Sequence, residues 1–141
     1  MKHLLFGLLL LFCVSAKGIE VTHGPWICDM DSTGATIVWV TDKPGLSWVE
    51  IAPEGKDHFY GKVRPRYYDV LAGRKLLTDS VHRVRVTGLK PDSRYRYRVF
   101  TQQVDEWRYD DWVSLGKTAY TDVWKGKPYE FTTYPVKPRE I

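Results

Sequence analysis

The residue types that most often do chemistry are sparse in this chain and poorly placed for it. The four histidines are His3, His23, His58 and His82. No two stand at the short separations that let a turn or helix present paired ligands to one metal ion. His23, Asp29, Asp31 and His82 can be assembled on paper into a ligand set. However, Asp29 and Asp31 flank Met30 just before Ser32 and Gly34, where short carboxylates cap turns. His82 shares a strand face with Val84 and Val86 and reads as a structural histidine. None of Ser32, Ser47, Ser80, Ser93 and Ser114 sits in the Gly-x-Ser-x-Gly setting of a strained nucleophile. Gly116-Lys117-Thr118 echoes the end of a phosphate-binding loop, but the earlier glycine is missing, Asp110 and its neighbour being aspartates. Cys28 has no evident histidine to activate it. No catalytic site is expected in this chain, and no metal site.

A different kind of site is suggested by residues 102–128. This stretch contains Trp107, Tyr109, Trp112, Tyr120 and Trp124, interleaved with Asp105, Glu106, Asp110 and Asp111. A compact domain seldom keeps so long a connection without a use for it, and exposed tryptophans are typical of interfaces. Two readings stand side by side: an extra hairpin folded back over a sheet, or a docking surface or aromatic platform for a ligand.

The elements that must carry these residues follow from the bulk properties and the hydrophobic pattern. The chain has 141 residues, 43% of them hydrophobic and 14% aromatic, enough for one domain with a real core. Lys2 followed by an apolar run over residues 4–14 and the small pair Ser15-Ala16 has the form of a secretory signal peptide, residues 1–16. The run falls short of the roughly 20 residues a membrane-crossing helix needs, so no transmembrane segment and a secreted, periplasmic or extracellular destination are expected. Cleavage after Ala16 leaves Cys28 as the one cysteine, with no internal disulfide, and its apolar surroundings suggest burial. It also leaves 20 basic against 17 acidic residues, a net charge of +3. The basic residues are dispersed, so nucleic acid is not expected as a partner.

Beyond residue 18 the apolar residues recur with period two and no helical spacing is sustained. Strands are predicted at 19–21 continuing, after Gly24-Pro25, through 26–28, and at 35–41, 46–52, 81–86, 94–100 and 129–133. Residues 58–77 read as one or two short edge strands with a loop. Arg83, Arg85, Arg94, Arg96 and Arg98 alternate with the inward residues and are expected to solvate outer faces. About seven short strands punctuated by turns indicate an all-β, two-sheet sandwich. Leu89-x-Pro91-x-Ser93-x-Tyr95-x-Tyr97-x-Val99 has the form of a tyrosine corner: Leu89 plugs the core end, Pro91 fixes the bend, and the Tyr95 hydroxyl bonds back to the backbone. With Trp39 on an early strand, the pattern resembles the fibronectin type III and immunoglobulin-like sandwich.

A closer resemblance rests on Gly24-Pro25-Trp26, on Ala35-Thr36-Ile37-Val38-Trp39-Val40-Thr41, on Ser47-Trp48-Val49-Glu50-Ile51 with Gly55, and on His82-Arg83-Val84-x-Val86-Thr87-Gly88-Leu89-x-Pro91. Over residues 19–134 the chain resembles the N-terminal domain of purple acid phosphatases and related calcineurin-like metallophosphoesterases. With the signal at 1–16, the resemblance implies a sandwich domain at 17–134 and a linker at 135–141 toward an absent catalytic domain. It also implies a non-catalytic accessory role, packed on a metallophosphoesterase domain that holds a dinuclear metal centre. Family ligands come from Asp-x-His, Gly-Asp-x-x-Asp, Gly-Asn-His and Gly-His-x-His, and none of these motifs occurs here. The alternative is a free-standing extracellular module that binds glycan or protein.

Overall fold

The computed structural model describes residues 18–108, 112–121 and 128–137. They form two antiparallel sheets facing each other. One has the strand order β1 (Val21–Cys28), β2 (Ala35–Thr41), β8 (Val81–Val86). The other has the order β10 (Trp112–Tyr120), β9 (Arg94–Arg108), β3 (Gly45–Pro53), β4 (Arg66–Tyr68), with β11 (Tyr129–Thr132) also on β9 and β7 (Leu77–Thr78) on β3. A small hairpin, β5 (Val70–Leu71) and β6 (Arg74–Lys75), lies between β4 and β7. The all-β sandwich expected from the period-two pattern is the fold.

The core is the interleaving of the inner faces. Ile37, Trp39, Val84 and Val86 come from the three-stranded sheet, and Val49, Ile51, Tyr97, Val99 and Phe131 from the larger one. Trp39, fully buried, donates its indole N–H to Thr101 Oγ1 at 2.8 Å, and Thr101 in turn meets Ser47 Oγ at 2.8 Å. The two sheets are thus joined by a polar chain as well as by packing, and the indole nitrogen is satisfied where an orphan donor would cost about 1–3 kcal/mol. His82, also fully buried, contacts Thr41 Oγ1 through Nε2 (2.5 Å) and Thr78 Oγ1 through Nδ1 (2.6 Å). Thr41 donates its own hydrogen to the Lys43 carbonyl, so Nε2–H is the donor toward Thr41 and Nδ1 accepts from Thr78. His82 is the structural histidine expected, held neutral because burial pushes its pKa down to about 4.

The corner forms as the sequence predicts. Tyr95 Oη accepts the Lys90 N–H at 2.9 Å, Leu89 is buried in the core cluster, and Ser93 Oγ donates to the Pro91 carbonyl. Gly88 takes φ +71°, a left-handed backbone that a side chain would strain. Thr133, at the end of the last strand, donates to the Lys90 carbonyl and accepts the Ser93 N–H, fastening the C-terminal segment to the corner.

Four expectations are corrected. The first strand is not interrupted: β1 runs unbroken through a cis Gly24–Pro25 peptide, its pairing with β2 shifting register between Val21 and His23 and between His23 and Trp26. Cys28 is exposed, not buried. Ile27 pairs with the buried Ile37, so its neighbour Cys28 points away from the core. The strand predicted to end near residue 100 continues to Arg108. Finally, Arg96 is not solvated.

The burial of Arg96 comes from residues 57–64, which cross the outer face of the larger sheet. Arg96 donates to the carbonyls of Pro53 (2.8 Å) and Asp57 (2.6 Å) and to the Asp57 carboxylate (2.8 Å). The other Asp57 oxygen takes Arg64 at 2.7 Å, and Arg64 also donates to the Phe59 carbonyl. Both guanidinium side chains are about 5% exposed, at 4% and 6%. The Phe59 ring lies among the guanidiniums of Arg64, Arg96 and Arg98, at 5.5, 5.9 and 5.8 Å from its centroid. The hydrogen bond from Arg64, reinforced by that from Arg96, holds the Asp57 carboxyl down at about 2.

Candidate docking surfaces

The inserted segment is a two-stranded ribbon. β9 extends past the sandwich and pairs with β10 in the register Trp112 to Arg108, Val113 to Trp107, Ser114 to Glu106 and Leu115 to Val104. Register shifts on either side of Leu115 mark two bulges: between the pairs at Ser114 and Leu115 the extra residue is Asp105 of β9, and between those at Leu115 and Thr118 it belongs to β10. Asp105 lies over Gly116, where a Cβ would stand 2.3 Å from its carboxylate. At the ribbon base Ile19 donates its N–H to Gln103 Oε1 and its side chain is buried.

Trp107 is 62% and Trp112 50% exposed. Directly paired residues of an antiparallel ribbon share a face and neighbours alternate. Trp107, paired with Val113, therefore stands on one face, and Trp112, paired with Arg108, on the other. Tyr120 is 54% exposed but belongs to another group. It pairs with Phe100, Phe100 with Trp48, and Trp48 with Tyr68, giving one aromatic row across β10, β9, β3 and β4 of the larger sheet. Trp48 and Phe100 are stacked at 5.2 Å and 3°. Arg98 lies over Phe100 and Tyr120, and Arg66 over Trp48, which is how so aromatic a face stays largely covered. Tyr109 and Trp124 lie outside the described residues. Leu89, Pro91, Tyr95 and Trp39 are where the corner and core place them.

The ribbon and the C-terminal exit are at opposite ends of the molecule. Tyr134 donates its N–H to the Asp31 carbonyl and accepts from Asp92 N–H, so the chain leaves the sandwich beside the β1–β2 turn and the tyrosine corner. β9 starts at that end, with Arg94 opposite Thr132. Its 15 residues then run away, about 45 Å at roughly 3.3 Å per residue.

Two surfaces escape a reading of the sequence by composition alone. The first is an open groove of about 490 Å³ beside β4 and β8, lined in part by Arg66, Arg83, Arg85, Tyr67 and Asp69. Two of its arginines are engaged: Arg66 with Glu50 at 3.4 Å, and Arg85 with Asp31 and the Asp29 carbonyl. Burial raises the Asp69 pKa, opposed by nearby Arg83. The second is the outer face of the three-stranded sheet, where register aligns Trp26, Val38 and Arg83 in one row and His23, Val40 and Val81 in the next. Trp26 is 49% and Val81 54% exposed. Alternation could have revealed it, since Trp26 and Val38 flank inward-facing Ile27 and Ile37.

Among the described residues no group of three or more His, Cys, Asp or Glu side chains could hold a metal ion, and no helix is long and apolar enough to cross a membrane. The sandwich, its corner and its Trp39 core coincide with one family model, described as "Purple acid Phosphatase, N-terminal domain", which matches residues 26–133. The chain belongs to this family. The match opens at Trp26 on β1 and closes at Thr133, so it takes in both sheets, the corner and the ribbon. A search of curated proteins finds no match to the chain. As an N-terminal domain of a phosphatase, the family's fold has a catalytic domain as its implied partner.

Proposed function

We propose that this chain is the accessory sandwich of a secreted metallophosphoesterase, carrying no catalysis of its own and packing against a catalytic domain. The observation that supports the reading is the family match, which spans both sheets of the sandwich. The dinuclear metal centre and the acid phosphatase chemistry of the family would belong to the partner domain. The sandwich would give that domain a rigid wall, since among the described residues its buried side-chain polar atoms are all hydrogen-bonded and its core is continuous. The test is to secrete the chain, purify the product and measure its metal content and phosphomonoesterase activity. No stoichiometric metal and no turnover are expected; bound iron, zinc or manganese with turnover would overturn the proposal.

A second reading, a free-standing module for glycan or protein, draws on the exposure of Trp107 and Trp112 far from the C-terminal exit. Sugars stack on exposed indole faces. Binding of the purified chain to a glycan array, lost in Trp107→Ser or Trp112→Ser, would favour it.

A further inference from the structure

We infer that the outer face of the three-stranded sheet, centred on Trp26, Val38, Val40 and Val81, is the surface on which the catalytic domain docks. This rests on the reading above and names the face it leaves open.

The first argument is tethering. Whatever follows Lys137 is attached where Tyr134 bonds to Asp31. Asp31 is bonded in turn to Arg85, on the outer face of this same sheet. Asp31, Arg85 and the rows of Thr36 and Val38 above it make a continuous surface leading from the exit onto the face. The far end of β9 lies about 45 Å of strand away. A domain joined through the C-terminal tail meets the near face at higher effective concentration than a remote one.

The second argument is the chemistry of the face. The opposite outer face, on the larger sheet, is already covered: residues 57–64 lie across it, Phe59 is buried, and Arg66 and Arg98 lie over the aromatic row. Among the described residues none covers the three-stranded sheet in this way, and a Trp and a Val are left about half exposed on a patch with β-branched neighbours. Apolar sheet surface left in water costs roughly 25 cal/mol per Å², and a patch of this kind marks an interaction site. Arg83 and His23 edge the patch, and Tyr134 and Val136, 58% and 68% exposed, extend the apolar character along the tail. The fitting partner is therefore an apolar surface rimmed by carboxylates.

The experiment uses the 15N-labelled chain from residue 17 and, as probe, a purified purple acid phosphatase catalytic domain expressed without its own sandwich. Amide shifts are followed by NMR on titration. Shifts at Trp26, Val38, Val40, Val81 and Arg83, with Kd raised at least tenfold in Trp26→Asp and unchanged in Trp107→Ser/Trp112→Ser, are expected. Unperturbed core resonances in each variant verify that the fold is intact. Shifts confined to the ribbon, with binding lost in the ribbon variant, would overturn the docking face and leave the partner standing. No shifts anywhere would overturn the partner itself, and with it the function proposed above.

Discussion

Tyr95 and His82 show how much a single polar atom controls when its surroundings are fixed. The Tyr95 hydroxyl is the acceptor for Lys90 N–H at a bend that Gly88 and Pro91 predispose but do not close. Tyr95→Phe should cost about 1 kcal/mol of unfolding free energy in urea titration, with the spectrum of the folded state unchanged. His82 makes stability depend on pH. Its folded-state pKa, near 4, lies below the ordinary value of 6.5, so between those values the unfolded chain binds more protons than the folded one. The His82 contribution to stability should be fully present above about pH 6.5, be lost as the pH drops through this window, and be gone below about 4. His82→Gln, which has no proton to gain there, should show a shallower pH dependence in parallel urea titrations.

At the scale of elements, what was legible followed from alternation, and what was not followed from long-range cover. β2, β8 and the first half of β9 alternate strictly, so their inward residues could be named from the sequence. The same alternation assigned Arg96 to water, because nothing local reveals that residues 57–64 return across the sheet more than thirty positions earlier in the chain. Arg96→Ala should therefore cost about 2–3 kcal/mol, the order of a buried charged hydrogen-bond network, whereas Arg94→Ala, exposed beside Glu130, should change stability by less than about 0.5 kcal/mol. Equilibrium unfolding of the two variants distinguishes them. Cys28 was misjudged for a related reason: an apolar neighbourhood in sequence does not say which face a residue takes. Continuation of β9 beyond residue 100 was obscured by polar Gln102 and Gln103, since a two-stranded ribbon has no need of an apolar face to mark its strands. The ribbon contributes nothing to the core cluster. Replacing residues 105–114 by Asn-Gly between the paired Val104 and Leu115 should leave the melting temperature within a few degrees.

For the whole molecule, family and fold could be read from a few motifs because they sit at positions that shape the backbone: the Gly24-Pro25 peptide, the Leu89-to-Val99 corner, and Trp39 between the sheets. The docking surfaces were less legible. The aromatic count of residues 102–128 drew attention to the ribbon, yet register sends Trp107 and Trp112 to opposite faces and gives Tyr120 to the aromatic row of the sheet. Trp26, a lone tryptophan next to a cis peptide, gave no compositional signal, though it stands at the centre of an uncovered sheet face. Exposure depends on what the rest of the chain leaves bare, and that is settled only by the complete fold.

β9 carries a further consequence. It is bonded to β3 over nine residue pairs, to β11 near its start and to β10 beyond its middle. Among the described residues it is the one strand that runs from beside the C-terminal exit out to Arg108 in the ribbon. A pull between those two ends runs parallel to its strand axis, so its hydrogen bonds would have to break together in shear, not one by one as in an unzipping hairpin. Along its long axis the domain is built as a stiff strut.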